Sequence, residues 1–397
     1  MTVRFIRLEL REVKIPFRFS FKHALATRRE ADNLILALHT DTGHVGYGEV
    51  IPREYLTGET VDSAWQDLMA QYWPAIKDLD LTPEKLPLEQ LQPVFAWATE
   101  HRKTSAYAGI DLAVWDAWAR VSGRPGKSLF GQPRPPGAVA ITGPLGAGSL
   151  RQMWRTASLM KWVGYGQFKL KVGGVQDLAA VRLLRRIIGS RRDLRVDANG
   201  GWEETQAIAM AQELRQFEVS SVEQPIPAGD VAALARVQRE GGLPVMADES
   251  LCTLADAQDL LAEKAAAIWN LRLAKIGGFT GFLAMLQVAG YPLPPTLHLD
   301  IPGQEQQISD HRPKIQLGVL VGETSILTAA ARACWGLCPY VHVEYGFPRI
   351  LLKIDPFTGD PGGYSGTGHP LGEEFGLGVS PRRYHLHKVT VRRQVLD

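Results

Sequence analysis

Residues 167–198, QFKLKVGGVQDLAAVRLLRRIIGSRRDLRVDA, hold one complete strand–helix–strand passage. Gln167–Val172 is short and rich in apolar residues. The segment after it sets Leu178, Val181, Leu184 and Ile188 on one helical face, and Leu194–Ala198 is a second strand. Strands joined by an amphipathic helix of this length lie parallel. The passage then repeats. Leu194–Ala198 leads to a helix with Ile208, Ala211, Leu214 and Phe217 on its face. Strands Ser220–Gln224, Leu243–Ala247 and Ile268–Ala274 lead to helices carrying Val231/Leu234/Val237, Leu254/Ala257/Leu261 and Phe282/Leu286/Ala289. So many units in a row favour a closed barrel over an open doubly wound sheet. With Ala138–Gly143 as the first strand and Ile315–Val321 and Tyr340–Val343 as the last two, the strands reach the number a TIM barrel needs.

Working outward, the N-terminal region reads differently. Val3–Val13, Asn33–Thr40 and His44–Glu49 alternate as strands, with Asp41-Thr42-Gly43 as a turn. Helical stripes follow at Val61, Trp65, Leu68 and Met69, and at Ala108, Leu112, Trp115 and Ala119. This is a separate α+β unit, and Gly131–Gly137 has a linker's composition. The expected domains are 1–135, 136–345 and a C-terminal segment 346–397 that returns to the first unit. The proline-rich run 291–314 follows the sixth helix, on the barrel's N-terminal face away from chemistry. His298 and His311 within it are therefore read as solvated or structural.

The 397 residues carry a net charge of +2 without a block of one sign, so the footprint of a nucleic-acid binder is missing and a small molecule is the expected partner. No run of about 18 apolar residues and no cleavable leader is present, which predicts no membrane partner and a cytoplasmic protein. Cys252, Cys334 and Cys338 read as packing residues.

Lys171, Asp197, Glu223, Asp248 and Lys275 each close a successive strand, about one βα unit apart. In a barrel those ends share one mouth. A single charged strand end is usually just solvated; five in matching positions are hard to explain that way. Three carboxylates make a hard oxygen site suited to Mg²⁺ or Mn²⁺. Removing the weakly acidic α-hydrogen of a carboxylate needs the developing enolate charge held by the metal and a base of lowered pKa in reach. A lysine beside a cation and another lysine is such a base. Lysines from strands two and six would stand on opposite faces of the planar intermediate.

Together FKLKVGG, with Lys169 and Lys171, RVDANGGW, SSVEQP, VMADES and NLRLAKIGGFTG resemble the enolase superfamily, in its muconate-lactonizing subgroup. HTDTGHVGYGEVIPREYLTGET resembles that family's capping domain, and Gly322-Glu323-Thr324-Ser325 the end of its seventh strand. The resemblance implies an α/β fold: a modified TIM (β/α) barrel with an N-terminal α+β capping domain completed by the C-terminal tail. It also implies Mg²⁺ held by Asp197, Glu223 and Asp248, Lys171 and Lys275 as acid and base, and Lys169 orienting the substrate carboxylate or supporting Lys171. Asn199 and Glu249 would hold the ligands by hydrogen bonds, and the chain would form a homo-oligomer.

Specificity in such enzymes comes from capping-domain loops, here Phe17–Leu25 with Phe21 and His23, and Ile51–Gly58 with Arg53, Glu54 and Tyr55; Glu323 is a further candidate contact. Dipeptide epimerases of the subgroup end the eighth strand in Asp-x-Asp, which grips the substrate ammonium. This chain has Val343-Glu344-Tyr345-Gly346 there, which argues against a dipeptide, and Arg272 replaces a lysine common in the family. The expected activity is racemisation or epimerisation of an N-substituted amino acid or related carboxylate. The alternatives are a cycloisomerase, a syn-dehydratase of the o-succinylbenzoate synthase type, a hydrolase or a non-catalytic protein keeping the fold.

Overall fold

The computed structural model describes the chain except residues 1, 24–25, 132–137, 147–148, 175, 302–311 and 360–365, and the side chains of 20–27 lie outside the description as well. The alternating N-terminal residues form an antiparallel sheet in which Thr390–Leu396, from the end of the chain, pairs with Phe5–His23, followed by Ala26–Thr40 and Val45–Val50. The first two strands run well past the expected Val13 and start well before Asn33. Of segment 17–25, expected as a loop, residues 17–23 therefore continue the first strand as a ribbon in which Phe21 pairs with Arg28 and His23 with Ala26.

Helix Thr104–Val121 lies on this sheet. Its sequence suggests one apolar stripe, yet every residue from Thr104 to Ala119 is buried. The helix is enclosed between the sheet and the barrel helix Gly278–Val288, so even Asp111 and Asp116 leave water. Close approach needs glycine: a Cβ on Gly48 would stand 1.9 Å from the Gly109 carbonyl oxygen.

The barrel sheet has eight parallel strands in chain order: Thr142–Leu145, Gln167–Lys171, Asp193–Asp197, Val222–Glu223, Val245–Ala247, Ile268–Leu271, Lys314–Leu317 and Tyr340–Val343. Two expectations change. The first barrel strand is Thr142–Leu145, because Val139–Ala140 pairs instead with Thr367–Gly368 of the tail. The sixth strand stops at Leu271, and Lys275 sits on a helical turn, Leu273–Ile276, that Gly277 ends in the left-handed region. Of the proline-rich run, Asp300 packs on the capping domain, its carbonyl accepting from Gln92 Nε2 at 2.7 Å. His298 Nε2 lies 3.0 Å from the Leu293 carbonyl, a local structural contact, and His311 lies outside the described residues. The three cysteines are free thiols, and no helix among the described residues is long and apolar enough to cross a membrane.

Candidate active site at the barrel mouth

Strand register decides which side chains meet. Lys171 pairs with Asp197 and Asp197 with Glu223, while Glu223 pairs with Met246, two residues before Asp248. Side chains alternate along a strand, so these residues face one interior. Asp197, Glu223 and Asp248 are fully buried. The backbone is strained beside two of them: Asn199 and Gln224 adopt φ of 46° and 36°, a region unfavourable for side-chain-bearing residues.

Burying so many carboxylates is costly unless each is paired, and each is. Lys171 Nζ donates to Asp197 Oδ2 and to Asn199 Oδ1, both at 2.6 Å. Lys275, wholly buried, donates to Asp248 Oδ1 at 2.8 Å and to the Asp248 carbonyl. Thr104 of the capping domain fixes the Lys275 carbonyl at 2.6 Å. Lys169 lies 3.3 Å from both Asp197 Oδ2 and Glu223 Oε2 and is bound to Glu344. Arg272 Nη2 lies 2.6 Å from Asp248 Oδ2 and 3.3 Å from Glu223 Oε1, and Asn270 donates to that same Glu223 oxygen at 2.8 Å.

The electrostatics follow. Burial raises Glu223, and the charge of Asp197 raises it further. Burial also works against ionising Asp197, but the Lys171 and Lys169 ammoniums outweigh it and hold that carboxyl below its ordinary range. Burial disfavours the charged forms of Lys169 and Arg272 too, yet Glu223 and Glu344 raise the first and Asp248 and Glu223 the second. Glu249 is pushed up to about 7 by burial and by Asp248 and Asp197, and it accepts from Asn199 Nδ2 at 2.9 Å. Burial raises Glu323 strongly; its Oε1 accepts from the Leu320 amide at 2.6 Å and its Oε2 has no hydrogen-bond partner among the described residues.

Five predicted residues thus converge, with Lys169, Asn199 and Glu249 interlocked among them. Tyr55 lies close enough to feel the charges of Arg272 and Glu249. Arg53, by contrast, is buried and clamps the two domains, donating to the Val321 carbonyl at 3.2 Å. The side chains of Phe21 and His23 lie outside the described residues. Sequence reasoning missed Arg195, Gln224 and the part played by Glu344. Arg195 Nη2 lies 3.2 Å from Glu344 Oε1, and its Nη1 donates to Thr142 Oγ1 at 3.0 Å. Gln224 Oε1 accepts from the amides of Asp248 and Ser250, tying the fourth strand end to the fifth. For Arg195 the signal is a polar residue two places from another inward one, Arg195-x-Asp197, as in Lys169-x-Lys171.

Three adjacent buried carboxylates are a donor set a hard divalent cation would accept. Among the described residues no such trio already stands in ligating geometry. The lysine and arginine partners hold the oxygens, and Asp248 Oδ2 makes no hydrogen bond, its close neighbour being the Arg272 ion pair. In type, and in their shared position at the barrel mouth, the residues fit a cation that takes over those lone pairs once the side chains turn toward it.

Comparison with known proteins agrees with this geometry. Residues 5–131 match the mandelate racemase/muconate lactonizing enzyme N-terminal domain, and residues 152–299 match the enolase C-terminal domain-like family. An L-Ala-D/L-Glu epimerase of Bacillus subtilis is 27% identical, covering 95% of this chain and 97% of its own. An N-succinyl-L-Arg/Lys racemase of Bacillus cereus is 25% identical, covering 98% of each, and its crystal structure superposes with a TM-score of 0.85 over 99% of this chain and all of that one. A dipeptide epimerase of Enterococcus faecalis, solved with Mg and L-Leu-L-Tyr, superposes with a TM-score of 0.81 at 26% identity over 95% and 99% of the two chains. A Pseudomonas chloromuconate cycloisomerase is 32% identical over 47% of this chain and 51% of its own. With both domain models matched and a lysine at each of two carboxylate-lined strand ends, the chain belongs to the enolase superfamily, in its mandelate racemase/muconate lactonizing enzyme group, and is an isomerase.

Proposed function

We propose that the chain performs 1,1-proton transfer, racemising or epimerising an N-substituted amino acid or related carboxylate. The observation that carries this reading is the separate seating of the two lysines, Lys171 on Asp197 and Lys275 on Asp248, four strands apart in an eight-strand barrel. One lysine takes the α-proton from one face of the substrate and the other returns a proton to the opposite face. In this reading 1–135 and 346–397 form the cap and 136–345 the catalytic barrel. Asp197, Glu223 and Asp248 hold Mg²⁺, with Mn²⁺ as a substitute, and the Mg-bound relative supports that choice. When bound, the ion supplies fixed positive charge where negative charge develops.

Lys169 orients the substrate carboxylate. Asn199 and Glu249 hold Lys171 by a hydrogen-bonded chain. Glu323, from the segment after the seventh strand, and Tyr55, from the cap, would contact the substrate, and Phe21 and His23, whose side chains lie outside the described residues, are the further cap candidates. Glu344 is already engaged by Lys169 and Arg195, which leaves it poorly placed to bind a substrate ammonium and supports an N-blocked substrate.

Incubation in D₂O with Mg²⁺ and a panel of chiral N-acylamino acids tests the reading. NMR should show α-proton exchange that disappears in Lys171→Ala and in Lys275→Ala. Ring closure or loss of water without exchange would move the reaction to a cycloisomerase or dehydratase, and turnover of no carboxylate at all would sink the proposal.

A further inference from the structure

A second site is built away from the mouth, where the cap's first strand meets the tail. The strand leaves its partner at Phe17 and bridges instead to Leu352, while the Lys353 amide donates to the Pro16 carbonyl at 2.8 Å. Arg18 is held over this junction, its Nε donating to the Leu352 carbonyl at 3.0 Å. The result is a cleft of about 510 Å³ lined by Arg18, Arg349, Lys353, Arg382 and His385, with Asp355 the one acidic side chain among the described residues.

Asp355 offsets them only in part: it feels the Arg382 charge but makes its hydrogen bonds elsewhere. It is buried and points into the protein, where Oδ2 accepts from Ser325 Oγ at 2.5 Å and Oδ1 from the Phe357 amide at 3.1 Å. Among the described residues, Arg18, Lys353 and Arg382 have no ion pair within 4 Å, and His385 Nδ1 is buried without a hydrogen bond. A chain whose net charge is only +2 therefore gathers Arg18, Lys353, Arg382 and a histidine in one concavity, beside the already engaged Arg349. Low-dielectric walls lined by one sign of charge concentrate counter-ions.

We propose that this cleft binds a small soluble polyanion bearing one or two phosphate groups. The guanidinium forks of Arg18 and Arg382 and the Lys353 ammonium suit phosphate oxygens, and with His385 beside them they outnumber the one carboxylate lining the cleft among the described residues. The volume is that of a small-molecule site. Such a ligand would tie the first strand, which runs on to Phe19 and the expected specificity ribbon, to the tail. This inference is independent of the proposed reaction, since the cleft shares no residue with the mouth.

Calorimetric titration of the full chain with pyrophosphate at about 0.15 M salt should give saturable one-to-one binding, weakened at least about tenfold in a Lys353→Ser/Arg382→Ser variant that keeps the wild-type melting temperature. If that variant does not fold, Lys353→Glu, at an exposed position, should give the same loss. Absence of saturable binding, or equal binding by wild type and a folded variant, overturns the site. Cosedimentation with phosphoinositide vesicles without any pyrophosphate binding overturns it as well, because the ligand would then be a membrane surface.

Discussion

Two groups of buried carboxylates in this molecule are satisfied in opposite ways. At the seam between cap and barrel the partners are mostly backbone. Glu49 accepts from the Thr324 amide and hydroxyl, the Leu327 amide and Asn33. Asp111 accepts from the amides of Phe279 and Thr280 across the seam, and within the cap Glu59 accepts in the same way from those of Ser105 and Ala106. At the mouth, Asp197, Glu223, Asp248 and Glu344 face lysine and arginine side chains. A backbone amide has nowhere else to go, so the seam carboxylates act as rivets. An ammonium on a four-carbon stem can leave, so the mouth carboxylates can exchange partners for a cation, a substrate or a proton. Gly278 belongs to the rivets: a Cβ there would stand 2.4 Å from Asp111 Oδ2.

The contrast breaks most visibly in activity. Lys171→Ala and Lys275→Ala should each lower turnover by about 10²–10⁴-fold, read by α-proton exchange. Lys275→Ala should also lower stability, since it leaves Asp248 without its ammonium partner; Lys171, at a more open position, should not. Asp111→Ala should do the reverse. It strips two buried amides and the Thr280 hydroxyl of their acceptor and should cost about 3 kcal/mol in urea unfolding. A seam variant that loses activity at full stability would dissolve the distinction.

A pH series sharpens it. Burial pushes Glu49 up to about 7 against its hydrogen bonds, and Glu59 and Asp111 likewise. A carboxyl raised in the fold binds extra proton there, so its contribution to stability is complete below the unfolded value and is lost as pH climbs through about 7. Wild-type stability should fall over that window by on the order of 3 kcal/mol for Glu49. Glu49→Gln should be less stable overall, with a shallower slope from pH 5 to 8; an unchanged slope would mean Glu49 is ionised throughout.

Smaller effects follow. Glu344→Gln keeps the shape of the side chain but removes the charge that anchors Lys169 and Arg195. It should raise KM about tenfold with a lesser change in kcat. His298→Ala, outside both regions, should alter stability by about 0.5 kcal/mol or less in the same unfolding assay.

The sequence by itself determined the barrel and the five strand-end groups, because periodicity and spacing are local: a residue at a strand's end is written in the strand. It also carried the return of the tail, through the composition beyond Tyr345. Only tertiary structure decided that Glu344 is spent on Lys169 and Arg195, that Arg272 spans two carboxylates, and that Asp111 caps a helix 168 residues away. Those partners lie far apart along the chain and meet only once eight strands close and the cap seats on them. The same holds for helix Thr104–Val121, whose burial on all sides comes from what encloses it. The ribbon through Phe21 and His23 was misread as a loop, since strand pairing there depends on the partner strand and short-range pattern does not record it.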